Sequence, residues 1–448
     1  MFHNGRKYRQ NLYICSLHKL IPTLFLLTAL CLSVHAQTGP WSGKLSAGGS
    51  TITLVFNLNE GNCTMDSPDQ GARGIKAKKS ISAEGKIIIS VPSINASFEG
   101  FLLMNSLIGE FVQNGYRFPL TLKPGAPKLN RPQTPVGPFP YTTQEVSFSN
   151  GDAVLKGTLT LPQAWSSDTP AVILVSGSGL QNRDEELFEH KPFAVIANAL
   201  ARAGIATLRY DDRGFGESTG DIINCTTEDL KNDALAGIEL LRGRFVRVGV
   251  AGHSEGGSIA LMLAAEKKTD FVISLAGGVI SMKETLLQQN MYALGNLGFE
   301  KKDVEEYCRA LASAFDAIMD GLRPSDIDGS SLPQALKQNF KAALQQSSTP
   351  YMKYFLALDM RPLLPKVKCP VLAFNGTLDS QVDCNSNLGA LRNGLSPEQL
   401  TAVEVIGANH MLQHCKTGDS SEYKEIEETI APEVLDRIAA WIMSQSNP

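Results

Sequence analysis

Within the 448-residue chain stands Gly252-His253-Ser254-Glu255-Gly256, a serine with a glycine two residues away on either side. On a sharp strand-to-helix turn, where side chains larger than glycine would clash, such a serine presents its hydroxyl outward and can attack a carbonyl carbon. A hydroxyl is a poor nucleophile at neutral pH, so it needs a base to take its proton and an acid to hold that base in one tautomer. The chemistry is then acyl transfer, with no cofactor and no metal called for. By letters alone the motif is weak, since 39 glycines in 448 residues supply roughly a few tenths of a chance match. A second match does occur, at Gly216-Glu217-Ser218-Thr219-Gly220. Asp211, Asp212 and Arg213 break the strand before that copy and no helix follows at once. Ser254 follows the apolar run Val246 to Ala251 and precedes a strongly helical stretch from Ser258 to Glu266, so context selects Ser254 over Ser218.

The base is found almost by exclusion. Past residue 36 the histidines are His190, His253, His410 and His414. His253 adjoins the nucleophile, and His190 precedes it. Where a serine elbow sits in an alternating β/α fold, the partners follow in the order serine, acid, histidine, which leaves His410 and His414. His410 follows the apolar run Ala402 to Ile406 by the short loop Gly407-Ala408-Asn409 and is the preferred base, with His414 as the alternative. For the acid, the loop after Val371 to Phe374 offers Asp379 and Asp383. Asp379 lies nearer the strand end, whereas Asp383 also suits a helix cap. The developing oxyanion needs amide donors: one is expected from Glu255 N–H and the other from Ser176-Gly177-Ser178-Gly179, with Ser178 ahead of Gly179. That loop carries neither phosphate-binding glycine fingerprint, which argues against nucleotide.

The elements that must position these groups fall into two patterns. From Trp41 to about Leu122 the chain reads all β, with alternation at Ile52, Leu54, Phe56 and Leu58 and an Asn114-Gly115 hairpin turn; residues 37–123 are therefore expected to form a small sheet or barrel. Six prolines from Pro124 to Pro140 cannot donate backbone hydrogen bonds and favour an extended linker over residues 124–142. From 143 to 448, short apolar runs alternate with helical spacing, which predicts an α/β domain with a largely parallel sheet. The strand runs are Ala171 to Val175, Ile205 to Tyr210, Val246 to Ala251, Phe271 to Leu275, Val371 to Phe374 and Ala402 to Ile406; Glu433 to Ser444 forms a last amphipathic helix. Residues 281–360 make an insertion too long for a simple crossover and helical in pattern, read as a cap over the site.

Ser176-Gly177-Ser178-Gly179, Asp211-Asp212-Arg213-Gly214-Phe215-Gly216-Glu217-Ser218, Gly252-His253-Ser254-Glu255-Gly256-Gly257 and Asn409-His410, in that order, resemble the α/β-hydrolase superfamily, and most closely bacterial serine esterases with an additional N-terminal β domain. The resemblance covers residues 143 to 445. It implies hydrolysis of carboxylic esters, on small-molecule or carbohydrate-linked substrates, without a cofactor, and a structural role for Asp212 and Arg213 beside the oxyanion turn. Ser176 departs from it, standing where many relatives have histidine. A peptidase or acyltransferase would use the same triad, and a polymer-binding protein with a degenerate hydrolase half is the reading from another class.

Residues 1–36 combine a basic start, an apolar run from Leu20 to Val34 and Val34-His35-Ala36, the pattern of a signal peptide cleaved before Gln37. Export to the periplasm or exterior follows, with no membrane span left in the mature chain. Four cations and no acid lie there, so the formal charge of −4 becomes about −8, which argues against nucleic-acid binding. Six of the eight cysteines remain. None has metal-ligand spacing, and Cys384 and Cys415, each five residues beyond a proposed catalytic residue, are the expected disulfide.

Overall fold

The computed structural model describes residues 38–445 apart from 48, 49, 60, 71 and 127; the expected signal peptide lies outside the described residues. The chain divides into two compact units, which part between Lys128 and Leu129, inside the proline-rich stretch.

The first unit is a closed barrel of eight sequential strands, from β1 (Gly39–Ala47) to β8 (Tyr116–Pro124), with Ser42 paired to Lys123 where it closes. Alternation explains it: Trp41, Leu54, Phe56, Leu58, Ile87, Ile89, Phe98, Leu107 and Leu122 turn inward and are at most 2% exposed. Asn114 (φ 49°) and Gly115 (φ 85°) both adopt the left-handed conformation that a two-residue hairpin turn demands.

The second unit contains an eight-stranded mixed sheet. Its strands are β9 (Tyr141–Asn150), β10 (Ala153–Pro162), β11 (Ala171–Val175), β12 (Ala206–Tyr210), β13 (Val248–His253), β14 (Val272–Leu275), β15 (Val371–Gly376) and β16 (Leu400–Val405). They lie in the order β16-β15-β14-β13-β11-β12-β10-β9. From β16 to β12 the neighbours are parallel, but β9 and β10 form an antiparallel edge hairpin. The apolar-run criterion misses that hairpin because β9 is largely exposed. Its turn nonetheless carries Asn150-Gly151.

Helices α1 (Pro192–Arg202), α2 (Thr227–Arg242), α3 (Glu255–Ala265), α4 (Met282–Asn296), α5 (Lys301–Met319), α6 (Gln334–Ser347), α7 (Pro350–Ala357), α8 (Cys384–Gly394) and α9 (Pro432–Ser444) complete the unit. Alternate residues of β11 face opposite sides: Ala171, Ile173 and Val175 join a core with Ala234, Ile238 and Leu241 of α2 and Ile259 and Leu263 of α3. Val172 and Leu174 join Phe193, Ile196 and Leu200 of α1 and Val434, Ile438 and Trp441 of α9. Helices α4 to α7 occupy the 281–360 insertion and build a separate core from Leu294, Tyr307, Leu311, Phe315, Phe340 and Leu344. From Leu129 onward the proline-rich stretch is bound into this unit rather than hanging as a tether. Arg131 donates to the carbonyls of Phe188, Lys424 and Ile426, and Gln133 bonds the backbone of Thr429 and Ile430.

The expected Cys384–Cys415 disulfide is not formed. All six described cysteines are free. The Cys384 thiol, at the start of α8, donates to the Asn375 carbonyl, while that of Cys415 donates to Gly407; the two loops direct their sulfurs to different backbone groups.

Arg213 donates to both oxygens of Asp233 on α2, at 2.7 and 2.6 Å, with side chains 6% and 1% exposed. Removing one partner of such a pair strands a charge out of water, so Arg213→Met is expected to cost about 3–5 kcal/mol, read as a lowered urea midpoint. An unchanged midpoint would show the pair to be energetically idle.

Candidate active site

Ser254 stands between β13 and α3 with φ 54° and ψ −117°. This left-handed backbone is uncommon for a residue with a side chain and costs on the order of 1–3 kcal/mol. The flanking glycines make the turn physically possible. A Cβ on Gly252 would lie 1.9 Å from the Gly256 carbonyl oxygen, and one on Gly256 would lie 2.1 Å from that of Val175. The turn is pinned by Ser254 N–H donating to Leu275 and Gly257 N–H donating to Ser254.

A cavity of about 550 Å³ opens at this point, lined by Ser254, His410, Glu255, Gly177, Ser178 and Gly179. Met282, Thr285, Leu286 and Gln289 of α4 and Tyr351, Met352 and Phe355 of α7 contribute to its wall, so the insertion helices face the nucleophile. His410 is 4% exposed, and its Nδ1 lies 2.9 Å from Asp379 Oδ2. A carboxylate oxygen accepts, so Nδ1 carries the hydrogen and, in the neutral ring, Nε2 has a free lone pair to take a proton. The Asp379 side chain is fully buried, and its Oδ1 accepts from Gln381 N–H and Val382 N–H, both at 2.8 Å.

The alternatives fall elsewhere. Asp383 caps α8, accepting from Ser386 N–H at 2.7 Å. His414 sits half exposed between Glu428 and Glu433. His190 is buried against Thr429 and the Tyr423 carbonyl, and burial pushes it down to about 4. Ser218 donates to the Asp211 carbonyl and accepts from Lys156 N–H, which commits its hydroxyl to the backbone.

On the 176–179 turn, where the oxyanion donors are expected, Gly177 lies so near Ser254 that a Cβ there would meet Ser254 Cβ at 3.1 Å. The Gly177 amide is already given to Glu185; Ser178, Gly179 and Glu255 also line the cavity. The turn is anchored by Asp212, which accepts from Ser176 Oγ at 2.8 Å and Gln181 N–H at 2.8 Å. The serine that departs from the family pattern is thus tied to the segment beside it. Burial, partly offset by these bonds, pushes Asp212 up to about 7.

Sequence reasoning missed three groups. Glu185, in a left-handed backbone conformation (φ 52°), meets His253. The Glu255 carboxylate accepts from Thr227 Oγ1 at 2.6 Å and from the Tyr351 hydroxyl on α7, and Ser178 also bonds to Glu255. Burial raises Glu255 against those bonds. Glu185 in a charged loop and Tyr351 in a helix carry no distinguishing local pattern, and Glu255 opens α3; only the positions of Glu185 soon after the 176–179 turn and of Glu255 beside Ser254 could have drawn notice.

A family model described as serine aminopeptidase S33 matches residues 189–414, half of the chain. The chain belongs to this S33 family. The fold around Ser254 is accordingly the α/β-hydrolase fold, with its mixed sheet and the expected helical insertion. Among characterised proteins, esterase EstD of Thermotoga maritima is 35% identical over 295 residues, which span 64% of this chain and 65% of that esterase. The chain therefore spans slightly less than two thirds of that relative's length. Among solved structures, Est1E from Butyrivibrio proteoclasticus aligns over 67% of this chain and 98% of its own at 16% identity and a TM-score of 0.39. An esterase of Pyrococcus furiosus aligns over 71% and 99%, at 16% identity and a TM-score of 0.43. In this S33 member the region matched by the family model includes Ser254, Asp379 and His410 but begins after the oxyanion turn.

The Asp212 shift has a signed consequence. From its ordinary 3.8 to about 7, the folded protein holds a proton that the unfolded chain releases. This contribution to stability is complete below the lower value and is lost as pH rises through the upper one. The urea midpoint of Asp212→Asn is expected to fall less between pH 4 and pH 7 than that of the unsubstituted protein. Parallel pH curves would place the proton elsewhere.

Proposed function

We propose that this protein is an exported carboxylic ester hydrolase in which Ser254 is the nucleophile, His410 the general base and Asp379 the acid that orients it. The carrying observation is the Asp379–His410 bond beside the cavity that contains Ser254, because it leaves the second imidazole nitrogen as the proton acceptor. Ser254 Oγ attacks the ester carbonyl as His410 Nε2 takes its proton. The tetrahedral oxyanion draws on the amides of Glu255 and Ser178. Collapse expels the alcohol, protonated by His410, and leaves an acyl-Ser254; water activated by the same histidine releases the acid.

Ester over amide is favoured by the 35% identity to an esterase, and the cavity, with its Met, Leu and Phe walls, suits short acyl groups on small or carbohydrate alcohols. The S33 family description supports aminopeptidase action as the second reading. Turnover of p-nitrophenyl acetate and butyrate against aminoacyl amides separates them, ester preference being expected. Export rests on the residue 1–36 pattern and predicts a mature terminus near Gln37, which N-terminal sequencing reads.

Ser254→Ala and His410→Ala are expected to lower kcat by about 10⁶, by analogy with a serine triad dissected elsewhere, and Asp379→Asn by about 10⁴ through loss of the tautomer. His414→Ala and Asp383→Asn should change kcat little. A fluorophosphonate should label Ser254; no adduct there would favour a degenerate binding protein, and equal loss at His414 would move the base.

A further inference from the structure

A second imidazole lies against the first. The rings of His253 and His410 have their centroids 4.8 Å apart, and His253 Nε2 is 3.0 Å from the backbone carbonyl of His410. On its other side, His253 Nδ1 is 2.9 Å from Glu185 Oε1, and that oxygen also accepts the Gly177 amide at 2.8 Å. Both residues are buried, His253 8% and Glu185 4% exposed.

The hydrogen-bond inventory fixes the proton count. A carbonyl oxygen only accepts, so Nε2 must carry a hydrogen. A neutral ring then has a bare Nδ1, which would face the lone pairs of an ionised carboxylate. Satisfying both contacts requires one more proton than a neutral imidazole and a carboxylate possess, and that proton sits between Nδ1 and Oε1. The arrangement joins three separate segments: the oxyanion turn through Gly177, the strand end that presents Ser254, and the loop of the base through the His410 carbonyl.

We propose that Glu185 and His253 are positioning residues that retain a proton and clamp the oxyanion turn to the base loop around Ser254, and that loss of this proton sets the alkaline limit of turnover. The proposal rests on the ester-hydrolase reading above. Neither side chain needs to touch substrate. Glu185 acts on the oxyanion turn through Gly177, and His253 acts on the base through its backbone. The left-handed backbone of Glu185 is the kind of strain that persists where surrounding structure demands it.

The charged and titratable groups around His253 come from four elements: Glu185 after β11, Glu255 at the start of α3, Asp379 after β15 and His410 after β16. Burial, the largest single influence, pushes the His253 imidazole down. The Glu185 charge and hydrogen bond, the His410 carbonyl and Asp379 together outweigh it and raise the ring to about 9. The clamp is therefore intact at neutral pH and opens as pH rises through that value.

The test is the pH–rate profile of ester turnover for the full chain and for Glu185→Gln and His253→Gln. Near neutral pH both variants are expected to lose about 10²-fold in kcat, the cost of a small misplacement at the reacting centre, with KM little changed. With the carboxylate gone, the alkaline limb of Glu185→Gln should move down by about one pH unit or more; that of His253→Gln should disappear. Wild-type kcat and an unmoved limb in both variants overturn the clamp. Absence of ester turnover and of a fluorophosphonate adduct in the unsubstituted protein overturns the ester-hydrolase reading instead. If either variant does not fold, ¹⁵N-histidine spectra of the unsubstituted protein decide. Protons on the pair's two hydrogen-bonded sites at neutral pH, one lost near pH 9, support the clamp, whereas a singly protonated His253 beside an ionised Glu185 overturns it.

Discussion

Everything in the catalytic unit is placed relative to one unfavourable backbone conformation. Ser254 has to leave a buried strand and start a buried helix within a single residue, and the left-handed φ it adopts is held because both elements are locked. Every residue of β13 is buried, and so is nearly every residue of α3. The close approaches of Gly252 and Gly256 to neighbouring backbone are the other half of the same constraint. Relaxing the turn would mean pulling α3 off the sheet, and the apolar burial lost would far exceed the order of 1–3 kcal/mol of strain relieved.

Parallel strands then turn a local feature into an assembled site. Because β11, β13, β15 and β16 run the same way and lie nearly side by side, their carboxyl ends emerge along one sheet edge. The oxyanion turn follows β11, the serine follows β13, the aspartate β15 and the histidine β16. Groups separated by more than two hundred residues converge without any long-range device other than sheet register. The insertion between β14 and β15 emerges at that same edge, which is why its helices supply walls of the cavity.

This explains what could be read from the chain. Strands buried on both faces leave contiguous apolar runs, and a residue just past such a run is legible with it; Ser254 and Asp379 are of this kind, whereas His410 follows the partly exposed edge strand β16 and is singled out by the small number of histidines. The edge hairpin of β9 and β10 left no run because β9 is mostly solvated. Glu185 and Tyr351 act through contacts made only after folding: one lies on a loop that reaches His253 and the Gly177 amide and the other on a helix of the insertion. The Cys384–Cys415 pairing was inferred from equal spacing past two residues. Spacing along a chain says nothing about the direction in which each sulfur points.

The electrostatics of the site follow from the same convergence. Asp212, Glu185, Glu255 and Asp379 surround the nucleophile and the two imidazoles, with no lysine or arginine lining the cavity among the described residues. Four full negative charges in so dry a place would repel one another and any oxyanion formed at Ser254. The protein relieves this with protons: Asp212 is pushed up to about 7 by burial with Glu185 and Glu255 nearby, burial raises Glu255, and His253 is held charged beside Glu185. The oxygens of Asp379 are satisfied by two backbone amides and the His410 ring. In the mechanism proposed above, these protons lower the negative charge around Ser254, where an oxyanion would develop.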